Sequence, residues 1–321
     1  LRQKIGESAA LLSGAQGNAY EAYYVLVSDN EDPEFWDGIL KGAKDAAAEQ
    51  GILLEKAGEQ FGPEYTKTQQ MEMAIYSKPD GIILDAGDTS NMDKLIHQAA
   101  AAGIPVVTVV NDSPASERIS FVSISNANLS REYGAQICKL VQEKSKEKTE
   151  GQQVKVCILL NSDSASAGQS IVLTGIQDYI SSQNMADAIR LETVAVHNNS
   201  VFSAEEEIRD LFLYSDGQKP ADIIVCLNLQ NTTCVYQTVL DYNMVGRVEI
   251  LGFYNSDIIQ SALDKDIIHA TIMVDTQQMG RNCVEALTEY RDSGYVSDYY
   301  AVQLSLLESN KSGGGEVLQS E

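Results

Sequence analysis

Asp80-Gly81-Ile82-Ile83-Leu84-Asp85 is the stretch whose reading decides the fold. A short apolar, β-branched run closes on a carboxylate, and a helix-period segment, Met92 to Ala102, follows it. The next run, Pro105-Val106-Val107-Thr108-Val109-Val110, stops at Asn111-Asp112. Upstream, Tyr23-Tyr24-Val25-Leu26-Val27-Ser28 leads into the helix pattern of Phe35 to Gln50. The same grammar returns in Val154 to Asn161, Asp222 to Asn228 and Ile250 to Asn255. Short apolar runs alternating with helices predict an α/β fold of parallel sheets covered on both faces. Ligands of such sheets sit beyond the carboxyl ends of the strands. Those ends carry Ser28, Asp85, Asn111, Asn161, Asn228 and Tyr254, a polar ring that places a site before any motif is named.

The chain has 321 residues, more than one hydrophobic core usually serves, so two domains are expected. Hydrophobic content of 44% and charged content of 21% are ordinary for a globular protein. No apolar run reaches the roughly 18 residues of a membrane span. The start, Leu1 to Gly6, lacks the apolar core of a signal peptide. Because the first residue is not Met, a trimmed N-terminal targeting or anchoring segment is the expectation. A formal charge of −23, with no basic cluster, argues against a nucleic-acid partner.

The five cysteines, Cys138, Cys157, Cys226, Cys234 and Cys283, have neither disulfide-framework nor zinc spacing. The three histidines stand apart, without a metal-ligand partner. No nucleophile elbow, HExxH, P-loop, GxGxxG or EF-hand loop occurs. Asp85 and Asp112 form the one pair worth weighing as a catalytic dyad, but acceptors for ligand hydroxyls is the preferred reading. The expectation is therefore a binder without cofactor, metal or catalytic residue.

Residues 1–21 read as a glycine-broken tether and 311–321 as a disordered tail. Tyr23 to about Ser125 reads as five strands with four intervening helices. A helix opening at Asn126-Ala127-Asn128 follows, and a second strand–helix series runs from Val154 to Val274. An amphipathic helix from Thr276 to Arg291 and one final strand around Val302 to Leu307 end the pattern. Two lobes with facing strand ends would form a cleft between them.

Val27-Ser28-Asp29 through Pro33-Glu34-Phe35-Trp36, with Gly42-Ala43 and Gly51, resembles the opening of type I periplasmic substrate-binding proteins, the ribose- and galactose-binding members above all. Further landmarks follow in order: Pro79 to Leu84, Ala102 to Val107, Ser125-Asn126, Leu251-Gly252-Phe253, Ala270-Thr271-Ile272 and Gln278-Met279-Gly280. The likeness covers roughly residues 22 to 308. It implies two doubly wound, Rossmann-like lobes joined by three crossovers, the first spanning 22–125 plus 275–303 and the second 126–274 plus 304–310.

The resemblance also implies roles. Phe35 and Trp36 match an aromatic pair that packs on a sugar ring, and Asp85 a hydroxyl acceptor. Asn126 matches a hinge amide and Asn228 the amide closing the second strand edge. Ser28, Asn111, Asp112, Gln169, Tyr254 and Asp275 complete the expected ligand contacts. The chain departs from the pattern too: Val110-Asn111 replaces the usual Asp-Arg, Val172 a frequent Arg, Tyr254 an Asp, and Val274 the hinge Gln. Micromolar binding needs about 8 kcal/mol, which half a dozen hydrogen bonds of about 0.5–1.5 kcal/mol each plus stacking would supply.

The implied function is extracytoplasmic capture of a small, neutral, sugar-like ligand by hinge closure. The protein would be a monomer, with an ABC permease or a membrane sensor kinase as partner. It would touch the membrane only through a removed N-terminal anchor. The same core occurs in lac-repressor-type effector domains, which is the alternative; a sugar-processing enzyme ranks below both.

Overall fold

A computed structural model of the protein describes residues 20–28, 33–59, 65–87, 91–146, 151–162, 167–198, 200–213 and 219–310. Its described elements form two compact units. One comprises the described residues up to Ser123 together with Thr276–Val302, the other Ile124–Asp275 and the described residues from Gln303 onward. The expected tail, and the tether up to residue 19, lie outside the described residues.

In the first unit β1 (Ala22–Val27), α1 (Pro33–Glu49), β2 (Ile52–Lys56), α2 (Lys67–Ser77), β3 (Gly81–Leu84), α3 (Met92–Ala101), β4 (Val106–Val109) and β5 (Ser120–Ile124) follow one another. The second unit contains α4 (Asn126–Ser145), β6 (Val154–Asn161), α5 (Ala167–Ser182), β7 (Ile189–Val196), α6 (Val201–Leu213), β8 (Ile223–Cys226), α7 (Leu229–Asp241), β9 (Glu249–Phe253), α8 (Asp257–Asp264) and β10 (Ala270–Val274). The chain then returns through α9 (Thr276–Ser293) and β11 (Tyr299–Val302), and ends in β12 (Leu304–Glu308).

The two sheets have corresponding strand orders, β11-β5-β4-β3-β1-β2 and β12-β10-β9-β8-β6-β7. Each order reverses at one place, between β1 and β3 and between β6 and β8. Val27 pairs with Leu84 in parallel at the first, and Leu159 with Cys226 at the second. Ile82, Ile83 and Leu84 are fully buried, as a strand covered on both faces requires. In the second unit one core cluster, with Ile224 and Ile250, and another, with Val225 and Leu251, take alternate residues of the same strands.

The units repeat local devices as well as topology. The Asp80 N–H donates to the Tyr23 carbonyl at 2.7 Å while its Oδ2 accepts the Tyr23 N–H at 2.8 Å. Asp222 does the same to Lys155, at 2.8 and 2.7 Å. Val110 and Tyr254, each just past its unit's fourth strand, take φ of 66° and 71°. A β-branched residue in the left-handed region is a genuine outlier. Around Val110 the backbone closes a γ-turn, with the Asn111 N–H donating to the Val109 carbonyl at 2.7 Å.

Three local expectations need correction. Three described helices, rather than four, separate the first five strands: residues 110–119 form turns, closed by an Asp112–Arg118 ion pair. The N-cap of α4 is Ser125, whose side chain accepts from the Asn128 N–H, and Asn126 is its first helical residue. The single final strand is two. β11 stays in the first sheet, and after Gln303 alone the chain enters the second as β12, antiparallel to β10.

The helices α1 and α9 cross where Gly42 faces Gln277 and Gly280 faces Ile39. A Cβ on Gly280 would lie inside the contact shell of the Ile39 carbonyl and 2.6 Å from Ala43 N. All five cysteines are buried thiols outside any disulfide, and burial pushes the Cys157 thiol up to about 11.

Candidate functional site

In the first unit the site residues gather where the sheet order reverses. Ser28 follows β1 and Asp85 follows β3, and the Asp85 N–H donates to the Val27 carbonyl at 2.9 Å. Ser28 is fully buried, and its Oγ has no hydrogen-bond partner among the described residues. Asp85 is 3% exposed and lies 3.0 Å from the Lys67 ammonium through Oδ2, with Lys67 itself 8% exposed. Its Oδ1 accepts from Asn111 Nδ2 at 2.9 Å and from the Gly87 N–H at 3.2 Å. A Cβ on Gly87 would meet that Asn111 amide at 2.9 Å, so a side chain at residue 87 would push the amide off the carboxylate.

Lys67 is the residue that sequence reading misses. It opens α2, directly after a capping box in which Thr66 and Gln69 serve each other's backbone N–H groups. A cation is disfavoured at that end of a helix dipole, and nothing in the sequence joins it to a carboxylate eighteen positions on.

Asp112 sits nearby in sequence but is held elsewhere. Arg118 Nε and Nη2 bind its two oxygens at 2.6 and 3.0 Å, and Thr108 Oγ1 donates to it at 2.7 Å. Arg118 Nη1 also reaches Asp298, which ties the loop to the segment before β11. Burial works against the Arg118 charge, but its bonds to Asp112 and Asp298 outweigh that and hold the guanidinium above its ordinary value. Asp85 and Asp112 therefore each have their own cation. Phe35 and Trp36, in the first turn of α1, are 7% and 5% exposed and pack edge to face at 5.9 Å. Asp275, after β10, is exposed, and Asn126 is half-buried.

In the second unit the corresponding edge is built from amides. Asn228 follows β8 and caps α7, accepting the Asn231 N–H at 2.7 Å. Its Nδ2 points to Asn198 Oδ1 at 3.4 Å, and Asn198 Nδ2 donates to Asn231 Oδ1 at 2.8 Å. Asn198 is 3% exposed and Asn231 fully buried, and the Asn231 Nδ2 has no acceptor among the described residues. Gln169 clips the backbone of Asn161: its Oε1 accepts from the Asn161 N–H at 2.8 Å and its Nε2 donates to the carbonyl at 3.3 Å. Tyr254 is half-buried against the core formed with β8 and β9, and the neighbouring Asn255 Oδ1 is buried without a donor among the described residues.

Sequence reading does not single out Asn198, Asn231 or Phe202, which is 74% exposed in the first turn of α6. The signal for Asn198 was available, since Ile189–Val196 alternates and breaks at His197-Asn198. No group of His, Cys, Asp and Glu among the described residues could hold a metal ion, and no described helix is long and apolar enough to cross a membrane.

Such an edge is polar, partly buried and nearly free of net charge. Ion pairs balance the carboxylates of one unit, and neutral amides and hydroxyls line the ends of β6 to β9 in the other. It can hydrogen-bond several hydroxyls at once on short, low-entropy side chains.

Solved structures of similar fold are numerous. GanP, a glucose-galactose binding protein from Geobacillus stearothermophilus, is 21% identical, with 91% of this chain and 98% of that chain covered at a TM-score of 0.74. An ABC transporter solute binding protein from Burkholderia graminis, in complex with D-arabinose, is 17% identical over 94% of this chain and 99% of that one, at 0.76. XylFII, in a complex with LytSN, is 22% identical over 90% and 98%, at 0.70. These likenesses establish the fold. No curated protein sequence matches the chain. The family profile described as periplasmic binding protein domain matches residues 23–294, most of the length, and the chain belongs to that family.

Proposed function

We propose that this protein captures a small, neutral, polyhydroxylated ligand, a sugar or a close analogue, between its two units and signals capture by closing on it. One observation carries the reading. In both units buried or half-buried polar side chains stand at the carboxyl ends of the strands around the strand-order reversal: Ser28, Asp85 and Asn111 in one, Asn161, Asn198 and Asn228 in the other. A ligand that bonds to both edges favours the closed arrangement by its extra contacts there. Asp85 accepts a hydroxyl, Asn228 contributes an amide, and the exposed ring of Phe202 offers an apolar face to a sugar ring. Trp36 and Phe35 back the first edge, and Asn126, Tyr254 and Asp275 border the second. The reading is capture without turnover, because the two candidate carboxylates are each engaged by a cation.

The protein acts outside the cytoplasm as a monomer, and the closed form is what a partner in the membrane reads. That partner is an ABC permease or a sensor. Membership of the family supports the first route, and the complex of XylFII with LytSN supports the second. A thermal-shift screen of pentoses, hexoses and polyols tests the proposal, followed by small-angle scattering with the best stabiliser. Stabilisation with a smaller radius of gyration is expected. A screen in which no polyhydroxylated compound raises the melting temperature refutes it.

A further inference from the structure

We propose that the buried Lys67–Asp85 pair selects the charge of the ligand. It admits an uncharged sugar and rejects the corresponding sugar acid and amino sugar. The inference rests on the sugar reading above and assigns that reading's specificity to two residues.

The pair is placed against the interests of stability. Lys67 stands at the first position of α2, the end of a helix where a cation is disfavoured. Both charges are removed from water, at 8% and 3% exposure, and a well-packed apolar pair in such a place is often as stable or more so. The arrangement leaves a defined vacancy. A carboxylate offers about four lone-pair directions. The Asp85 Oδ1 uses both of its own on Asn111 and Gly87, whereas Oδ2 holds Lys67 and keeps one. On the next strand end, the buried Ser28 Oγ has no partner among the described residues. One acceptor and one hydroxyl on adjacent strand ends match one ligand hydroxyl, which donates to the first and accepts from the second.

Charge decides what else can enter. A ligand carboxylate there faces Asp85, and a ligand ammonium competes with Lys67 for the same oxygen. Either one must separate an ion pair whose two members are almost wholly buried, and like charges brought together suppress the wrong partner. With Lys67 gone, the uncompensated carboxylate suits a cation. With the Asp85 charge gone, the ammonium loses that counter-charge at the strand end, which suits an anion.

The test is calorimetric titration of matched series: D-glucose with D-glucuronate and D-glucosamine, D-galactose with D-galacturonate and D-galactosamine, and D-arabinose as a further neutral probe. The proteins are wild type, Lys67→Met, Asp85→Asn and the double variant, each checked by melting without sugar. Wild type should bind a neutral member at least about tenfold more tightly than its acid and its amine. Lys67→Met should move the preference to the amine and Asp85→Asn to the acid, each by about tenfold or more. The double variant should return to the neutral sugar with weakened affinity. If both single variants keep the wild-type ranking, the pair does not select charge, while the sugar site stands. Should the variants fail to fold, the wild-type ranking decides alone: an acid or amine bound as tightly as its neutral parent overturns the proposal. If wild type binds no member, the sugar reading itself falls.

Discussion

Removing Asp85 should cost the first unit more than removing Lys67, and removing both should cost less than the sum. Asp85→Ala takes a counter-charge from an ammonium that is 8% exposed and the acceptor from the Asn111 amide and the Gly87 N–H. Breaking a buried pair from one side costs about 3–5 kcal/mol. Lys67→Met leaves the carboxylate with two of its hydrogen bonds, so a smaller loss, about 2–3 kcal/mol, is expected. The double variant retains only the penalty of the orphaned amide and N–H, about 1–3 kcal/mol. The cycle should therefore fall short of additivity by about 2 kcal/mol or more. Urea unfolding followed by Trp36 fluorescence suits the measurement, because this is the only tryptophan, it is buried in the first unit, and a two-unit chain need not unfold in one step. Losses that add within about 0.5 kcal/mol would refute the reasoning. The same argument limits what Asp85→Ala can be used for: it unsettles the unit as well as removing the acceptor, so Asp85→Asn is the better probe of binding.

Two further outcomes follow from the packing. Gly280→Ala puts a methyl against the α1 backbone at Ile39 and Ala43, and overpacking of about 1–3 kcal/mol should lower the melting temperature by about 2–12 °C; an unchanged melt contradicts the close crossing. His269 is 8% exposed, and burial, against the pull of Glu249 at 4.0 Å, holds its imidazole below the ordinary range. The unfolded chain then takes up the proton first, so stability is full above about pH 6.5 and is lost as the pH falls towards the lower folded value. His269→Gln should flatten that limb between about pH 7 and 5.5 in melting scans, and an identical slope would count against it.

The fold was legible where strands are buried on both faces. Asp80 to Asp85 and Pro105 to Val110 announce themselves because the residues between their ends are apolar, with the β-branched Thr108 the one exception. The sheet change at Gln303 was not, since one residue separates β11 from β12 and no turn residue marks it. The turns at 110–119 were missed for a related reason: Asp112 and Arg118 close them with an ion pair, and a charged side chain reads locally as solvated surface. Within the site, the strand-end residues could be listed from the pattern alone. Which of them already have partners could not. Asp112 and Gln169 look like free hydrogen-bonding groups in sequence, and the structure commits them to Arg118 and to the Asn161 backbone. Lys67, Asn198 and Asn231 reach the strand ends through tertiary contacts 18, 30 and 33 positions long in the chain, beyond any local signal.

The central claim is that one guest is held from both sides. Calorimetric titration of wild type, Asp85→Asn and Asn228→Ser with the sugar that most raises the melting temperature tests it; serine still caps α7 but loses the amide. One sugar per chain is predicted, with affinity reduced at least about tenfold by the change in either unit. If either substitution leaves the affinity intact, the guest is held by one unit alone and the account is wrong.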